Sequence, residues 1–282
     1  MQLGLGTVQL GLNYGISNDS GQTSMDEAKR IVDFCHTCDI NLFDTASAYG
    51  ESEKVLGQLL PHKSERIVTK LPPCDNLTSQ DITQVFQQSL TNLQVPRIYG
   101  LMLHNGADLL GPNGDQIYEQ LQEFKSQQKV LKIGSSVYCP EETRAIIERY
   151  DIDIIQLPIN LFDQRFALTG TLEALKTQNV EIHSRSTFLQ GLLLMELDSL
   201  PGYFAPFKSH IKRYFEKRGE NALVPAIQYV KQLALVDYLV VGATSVTELA
   251  QIVSAFKQEC HLNFGQFGHS DERLILPTNW TL

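Results

Sequence analysis

The sequence predicts an α/β protein folded as a (β/α)8 barrel of the TIM type, with an N-terminal β-hairpin plugging its bottom. Two observations point there. Eight short β-rich runs alternate with segments whose apolar residues recur at spacings of three and four. No G-x-G-x-x-G follows a strand, as an open doubly wound sheet would usually show. Length agrees, because 282 residues suit one barrel of about 250 residues, so 1–282 reads as a single domain. A chain of this size buries roughly three quarters of its unfolded surface and needs no disulfide or metal staple.

In chain order, MQLGLGTVQLG reads as the hairpin, and Gly4 and Gly6 alone make a weak dinucleotide signal. The candidate strands are NLFDT, RIVTKL, IYGLMLH, KIGSSV, DIIQLPI, EIHSRS, YLVVGA and HLNFGQF. Their near-continuous apolar character is that of a parallel sheet covered by helices. The helical segments between them include Ile31, Val32 and Cys35, then Ile82, Val85, Phe86, Leu90 and Leu93. Ser24 with Glu27 forms a capping box, Pro140 suits a first helical turn after Cys139, and Ser245 caps the helix carrying Leu249, Ile252 and Phe256. Alternation lapses between Leu192 and Asn221, a stretch whose Lys208, Lys212, Arg213, Lys217 and Arg218 form either a phosphate-binding cluster or a solvated helix face.

Composition bounds the function. A hydrophobic fraction of 43% with 20% charged residues is ordinary for a soluble globular protein. The net charge of −9 argues against nucleic acid or anionic lipid as a partner. Five scattered cysteines fit a reducing compartment. Cys35 and Cys38 form a C-x-x-C, but in a helical segment with no second ligand pair, so they read as packed thiols rather than a metal or redox site. No basic region followed by a long apolar stretch opens the chain, which predicts a cytoplasmic protein without a membrane span.

Asp44, Tyr49, Lys70 and His104 sit at or just past the ends of successive candidate strands, the position of functional residues in parallel barrels. Singly, each has a structural explanation: a helix cap, a packed aromatic, a snorkelling amine, a core histidine. Together they suit carbonyl reduction, in which the nascent alkoxide needs a proton. An ammonium about 4 Å from a phenolate stabilises it by roughly 4 kcal/mol at an effective dielectric of 20, so Lys70 is expected to acidify Tyr49. Asp44 would hold the lysine charge, and His104 would donate to the substrate oxygen. A barrel hydrolase or metal enzyme would call for paired carboxylates or a metal cluster, and the sequence suggests neither.

Over nearly its whole length the chain resembles the aldo-keto reductases. The resemblance rests on GLGTVQLGLNYG, NLFDTASAYGESEKVLGQLL, VTKL, LMLHN, IGSSVY, IIQLPINLFDQ and RSTFLQGLLL, in that order. It implies NADPH lying across the barrel mouth, with NADH as the alternative, and a small carbonyl compound, such as a sugar or aldehyde, as substrate. By resemblance Tyr49 is the proton donor, Lys70 and Asp44 its tuning partners, and His104 the orienting residue. Gly6, Thr7 and Asp44 join the cofactor set, and Ser136 and Gln156 match positions that hydrogen-bond the carboxamide. Arg185 stands where an aromatic commonly stacks on the nicotinamide, and Val137 where many relatives have a polar residue. Ser186, Phe188, Gln190 and Gly191 match a loop along the pyrophosphate. VVGATSVTELAQIV resembles the adenosine end, where Gly242 and Thr244 approach a 2'-phosphate at a helix start. Glu248, Gln251 and Ile252 depart there from the family's glutamine, glutamate and asparagine. Tyr14, Phe162, Phe204, Phe207 and Trp280 are candidate pocket aromatics. The superfamily's potassium-channel beta subunits suggest the other reading, a nicotinamide-binding regulatory partner.

Overall fold

The computed structural model describes residues 1–60 and 65–281. Eight parallel strands close into a barrel: β1 (Gln2–Gly6), β2 (Leu42–Asp44), β3 (Arg66–Leu71), β4 (Ile98–Leu103), β5 (Val130–Ser136), β6 (Ile154–Pro158), β7 (Glu181–Arg185) and β8 (Tyr238–Gly242). The connections carry α1 (Val8–Gly11), α2 (Met25–Thr37), α3 (Ser52–Leu59), α4 (Ser79–Leu93), α5 (Gly114–Ser126), α6 (Pro140–Arg149), α7 (Arg165–Leu168) and α8 (Thr171–Thr177). After β7 come α9 (Lys208–Phe215) and α10 (Leu223–Lys231), and after β8 come α11 (Val246–Lys257) and α12 (Glu272–Ile275). Ser24 and Ser245 cap α2 and α11 through their side chains, and Pro140 opens α6. Cys35 is buried in α2, which Cys38 ends. Among the described residues no helix is long and apolar enough to cross a membrane.

The expected N-terminal hairpin plug is not formed. Its first half is β1, a barrel strand that pairs in parallel with β2 (Leu5↔Phe43) and with β8 (Leu3↔Leu239). Its second half, Val8–Gly11, is helical. Glycine weakens a strand on propensity alone, yet space requires one here: a Cβ on Gly4 would lie 2.6 Å from the Leu42 Cδ2 that fills the lumen. The predicted eighth strand, HLNFGQF, contains instead a 3-10 turn over Phe264–Phe267, whose two phenylalanines are buried. Their burial accounts for the apolar signal.

Strand residues alternate between lumen and helix layer, and this period arranges the interior in tiers. Leu42, Val68, Met102, Ile154 and Val240 form an apolar middle tier with Tyr238. Two residues further along their strands come Asp44, Lys70, His104, Gln156 and Gly242, at the carboxyl-terminal mouth. Toward the opposite end the same alternation presents Arg66, Lys132, Glu181 and Tyr238. These side chains close the floor in place of a plug. Lys132 Nζ and Tyr99 Oη donate to Glu181 Oε2 at 2.6 and 2.8 Å. Glu181 Oε1 pairs with His183 Nε2 at 2.8 Å, and Arg66 stacks over Tyr99 and donates to Tyr238 Oη. Along β7 the inward residues are thus Glu181, His183 and Arg185, so this strand is polar along its whole inward side, whereas β6 and β8 also present Ile154 and Val240 there.

Candidate active site

At the carboxyl-terminal mouth the strand ends surround a cleft of about 670 Å³. Every residue expected to serve chemistry or cofactor lines it: Asp44, Tyr49, Lys70 and His104 at one end, Gly242, Thr244, Glu248 and Gln251 at the other, and the remainder between. The insertion behaves differently. None of Lys208, Lys212, Arg213, Lys217 or Arg218 lines the cleft; Arg218 donates to the Leu193 and Met195 carbonyls and pairs with Glu196. Phe162, Phe204, Phe207 and Trp280 are also absent from the walls, because they pack edge-on against other rings in the core and C-terminal region. Of the expected pocket aromatics only Tyr14 faces the cleft.

At the chemical end, Lys70 Nζ donates to Asp44 Oδ1 at 2.6 Å and to the Thr45 carbonyl at 3.0 Å. Gln156 Nε2 donates to Asp44 Oδ2 at 2.8 Å. The lysine and aspartate side chains are only 1% and 5% exposed. Tyr49 and His104 meet edge to face, with ring centroids 5.7 Å apart at 88°, and Lys70 Nζ lies 5.2 Å from the Tyr49 ring centroid.

The electrostatics correct one expectation. Lys70 does not make Tyr49 acidic: burial pushes the phenol well above its ordinary value, Asp44 adds to the rise, and the Arg185 guanidinium opposes it. The reason is geometric. The ammonium is committed to Asp44, so the tyrosine faces a compact, nearly neutral ion pair rather than a free cation. Burial lowers Lys70 while Asp44 resists the fall. His104 is brought down to about 4, by burial first and then by Lys70 and Arg185, so at neutral pH it is an uncharged imidazole.

The Y-G-x-S-E portion of the motif positions this group. Ser52 Oγ donates to the Thr7 carbonyl at 2.8 Å and receives Thr45 Oγ1 at 3.0 Å, while Thr7 Oγ1 donates to the Asp44 carbonyl at 2.9 Å. These bonds knit β1, β2 and α3 beneath Tyr49. Gly11 passes so close that a Cβ there would fall 1.8 Å from the Tyr49 carbonyl oxygen.

Arg185, at the end of β7, stacks over Tyr138 with its guanidinium carbon 4.3 Å from the ring centroid. It donates to the Val137 carbonyl at 3.0 Å and to Ser136 Oγ at 3.3 Å. Val137 itself is fully buried, and Tyr138 supplies the cleft surface. The loop after β7 carries left-handed backbone at Ser186, Leu189, Gln190 and Gly191, which turns Phe188 and Gln190 into the wall. The Ile16 amide donates to the Gln190 carbonyl at 3.0 Å, so the segment after α1 spans the cleft and adds Ser17 and Asn18 to its lining. These two and Tyr138 were not anticipated. Recognising β1 as a strand would have marked NYGISNDSG as a loop at the mouth.

At the far end β8 delivers Gly242 and α11 begins. Glu248 Oε2 accepts from the Thr244 amide at 2.7 Å and from Thr244 Oγ1 at 2.9 Å. Gln9 Oε1 and Thr187 Oγ1 are buried polar atoms on the cleft wall that lack a hydrogen-bond partner, as expected of surfaces that receive a polar ligand.

Comparison with known proteins places this architecture. The model of the Aldo/keto reductase family matches residues 2–267. An uncharacterized oxidoreductase of Bacillus subtilis (strain 168), YqkF, is 21% identical over 277 residues, covering 89% of each chain. The NADH-specific methylglyoxal reductase of Escherichia coli (strain K12) is 27% identical over 194 residues, 59% of each chain. Among solved structures, the holo form of aldo-keto reductase AKR11C1 from Bacillus halodurans superimposes with a TM-score of 0.75 at 22% identity, over 94% of this chain and 89% of that one. The glycerol dehydrogenase AKR11B4 from Gluconobacter oxydans gives 0.71 at 23%, over 92% and 87%. With a family match running through barrel and mouth alike, the chain belongs to the aldo/keto reductase family and is an oxidoreductase of its NAD(P)H-dependent, carbonyl- and alcohol-directed kind.

Proposed function

We propose that the protein reduces small polar aldehydes or ketones to alcohols, with Tyr49 as proton donor. The observation that carries this reading is the meeting of Tyr49 and His104 beside a buried Lys70–Asp44 pair at the head of the cleft. The cleft suits a nicotinamide dinucleotide, because it runs from that group to the start of α11 and its wall holds the unpartnered Gln9 Oε1 and Thr187 Oγ1. Ser136, Gln156, Arg185 and the loop from Ser186 to Gly191 would hold the nicotinamide half, and Gly6, Thr7, Gly242, Thr244, Glu248 and Gln251 the remainder. When bound, the dihydronicotinamide supplies a hydride to the carbonyl carbon.

The chain's own residues manage the oxygen. Neutral His104 donates a hydrogen bond that orients the carbonyl and polarises it. As negative charge develops on that oxygen, the Tyr49 hydroxyl gives up its proton and an alcohol forms. An alkoxide is about as basic as hydroxide, so a phenol raised by burial is still the stronger acid and remains a competent donor. The phenolate left behind would be stabilised by the Lys70 ammonium, 5.2 Å from the ring centroid, and by the Arg185 guanidinium, which already favours the ionised phenol. Asp44 keeps that lysine protonated in a site whose burial disfavours the cation.

Tyr14, Tyr138 and Arg185 stand beside Tyr49 and offer two hydroxyls and a guanidinium to a substrate. That favours small polar substrates over bulky aromatic ones, in keeping with relatives named for methylglyoxal and glycerol. Whether the cleft takes NADH or NADPH turns on the start of α11, where Glu248 stands. The test is a panel of carbonyl compounds followed through nicotinamide absorbance, with Tyr49→Phe as the decisive variant. It should lose about 10²–10⁴-fold in turnover while binding the cofactor as the wild type does. Full turnover in Tyr49→Phe would remove the assigned proton donor, and cofactor binding without any carbonyl turnover by the wild type would favour a regulatory partner.

A further inference from the structure

We propose that Glu248 makes the adenosine end of the cleft selective for NADH and rejects NADPH. The inference rests on the dinucleotide reading of the cleft given above. Its basis is the way the start of α11 is already occupied by the protein's own carboxylates. Glu248 Oε2 takes the Thr244 amide and hydroxyl at 2.7 and 2.9 Å. Glu27 Oε1, reaching over from α2, takes the Val246 amide at 2.8 Å. Ser245 Oγ takes the Glu248 amide at 3.2 Å. Of these amides, those of Thr244 and Val246 are thus met by carboxylates and that of Glu248 by a hydroxyl.

The distribution of cations agrees. Among the described residues, the only lysine and arginine on the cleft wall are Lys70 and Arg185, both at the chemical end. The far end offers Gly242, Thr244, Glu248, Gln251 and Ile252, one carboxylate and no cation. None of the basic residues of the 208–218 stretch lines the cleft, and four have partners elsewhere: Arg218 with Glu196 and main-chain carbonyls, Lys217 with Gln266, Arg213 with His210 and Lys212 with Glu216.

The two cofactors differ at this end by one group. A ribose 2'-hydroxyl is a hydrogen-bond donor, which a carboxylate accepts, whereas NADPH presents a phosphate monoester with a charge of about −1.5 to −2 and acceptor oxygens only. Dinucleotide sites in general use an acid against the free hydroxyl and an arginine against the phosphate. Here the acid is Glu248. Its side chain is exposed at the cleft rim, so it can meet the ribose without leaving α11. A 2'-phosphate would have to displace it from Thr244, and Arg30, the cation beside this helix start, is already paired with Glu27 at 3.2 Å.

Fluorescence titration of the full-length protein with NADH and with NADPH tests this. NADH should bind at least about tenfold more tightly, and the gap should shrink as salt screens the repulsion. Glu248→Gln, nearly isosteric, should improve NADPH affinity by about tenfold and close most of the gap. Glu248→Arg should reverse the preference. Wild-type protein that binds NADPH as tightly as NADH overturns the inference and leaves the carbonyl-reductase reading standing. An unchanged affinity ratio in both variants overturns Glu248 as its origin. Failure of either dinucleotide to bind sinks the reading of the cleft itself, and this inference with it.

Discussion

Lys70 and Asp44 hold one ion pair in a site nearly closed to solvent, so each is costly to leave alone. Removing the cation by Lys70→Met strands a buried carboxylate, and about 3–5 kcal/mol of stability should be lost in a denaturant titration. The double variant Lys70→Met with Asp44→Leu should recover much of that loss while remaining inactive. His104 adds a pH dependence whose sign follows from its direction. Folding lowers it from 6.5 to about 4, so between those values the unfolded chain binds the proton more readily. Its contribution is complete above pH 6.5 and fades as pH falls toward about 4. Thermal melts should show His104→Gln losing less stability than wild type across that interval. Asp44, Lys70 and His104 were legible because a polar residue ending an apolar run is a local signal. The Arg185–Tyr138 stack was not. Its members come from strands separated by β6, and no property of one residue states how far a guanidinium reaches across a neighbouring strand. The expected acidification of Tyr49 failed for a related reason: the sequence names the charges but not which of them is already paired.

Between elements, the approach of α3 to α4 shows what part of the family motif serves packing. Glu53 is only 2% exposed; it accepts from Thr69 Oγ1 at 2.7 Å and Asn92 Nδ2 at 3.1 Å, joining α3 to β3 and α4. One turn on, a Cβ at Gly57 would lie 2.2 Å from the Asn92 carbonyl oxygen. Alanine is the better helix former by about 1 kcal/mol, but this overlap with main chain cannot be relieved by a rotamer change. Gly57→Ala should therefore destabilise by about 1–3 kcal/mol, and a midpoint at or above that of wild type would contradict the close approach. At this scale seven of the expected strands stand where hydrophobic runs placed them, because a lumen-facing and a helix-facing residue are both apolar in a parallel barrel. β1 escaped that logic: its Gly4 makes room for Leu42, a requirement set by a neighbour some forty residues away. HLNFGQF misled in the opposite sense, since its phenylalanines are buried without being in a strand.

For the molecule as a whole, polar tiers bracket an apolar one, and the lower tier bears on acid stability. Burial alone would raise Glu181; its bonds with His183, Lys132 and Tyr99 outweigh that and carry it from 4.5 to about 2. Stability from this group is therefore present above pH 4.5 and lost as pH falls toward about 2. Glu181→Gln should flatten the acid-unfolding curve in that window and cost about 1–3 kcal/mol at neutral pH, where Lys132 loses its charged partner. Barrel closure was legible from alternation, but the floor was not, since β7 reads as a polar strand until its inward side is known. The pairing of Leu3 with Leu239 has a further consequence for the order of assembly. During synthesis β1 leaves the ribosome long before its second neighbour, β8, exists, so one of its edges stays open until Tyr238–Gly242 has emerged. Ring closure thus waits for the last strand of the barrel, whichever of the others have already paired.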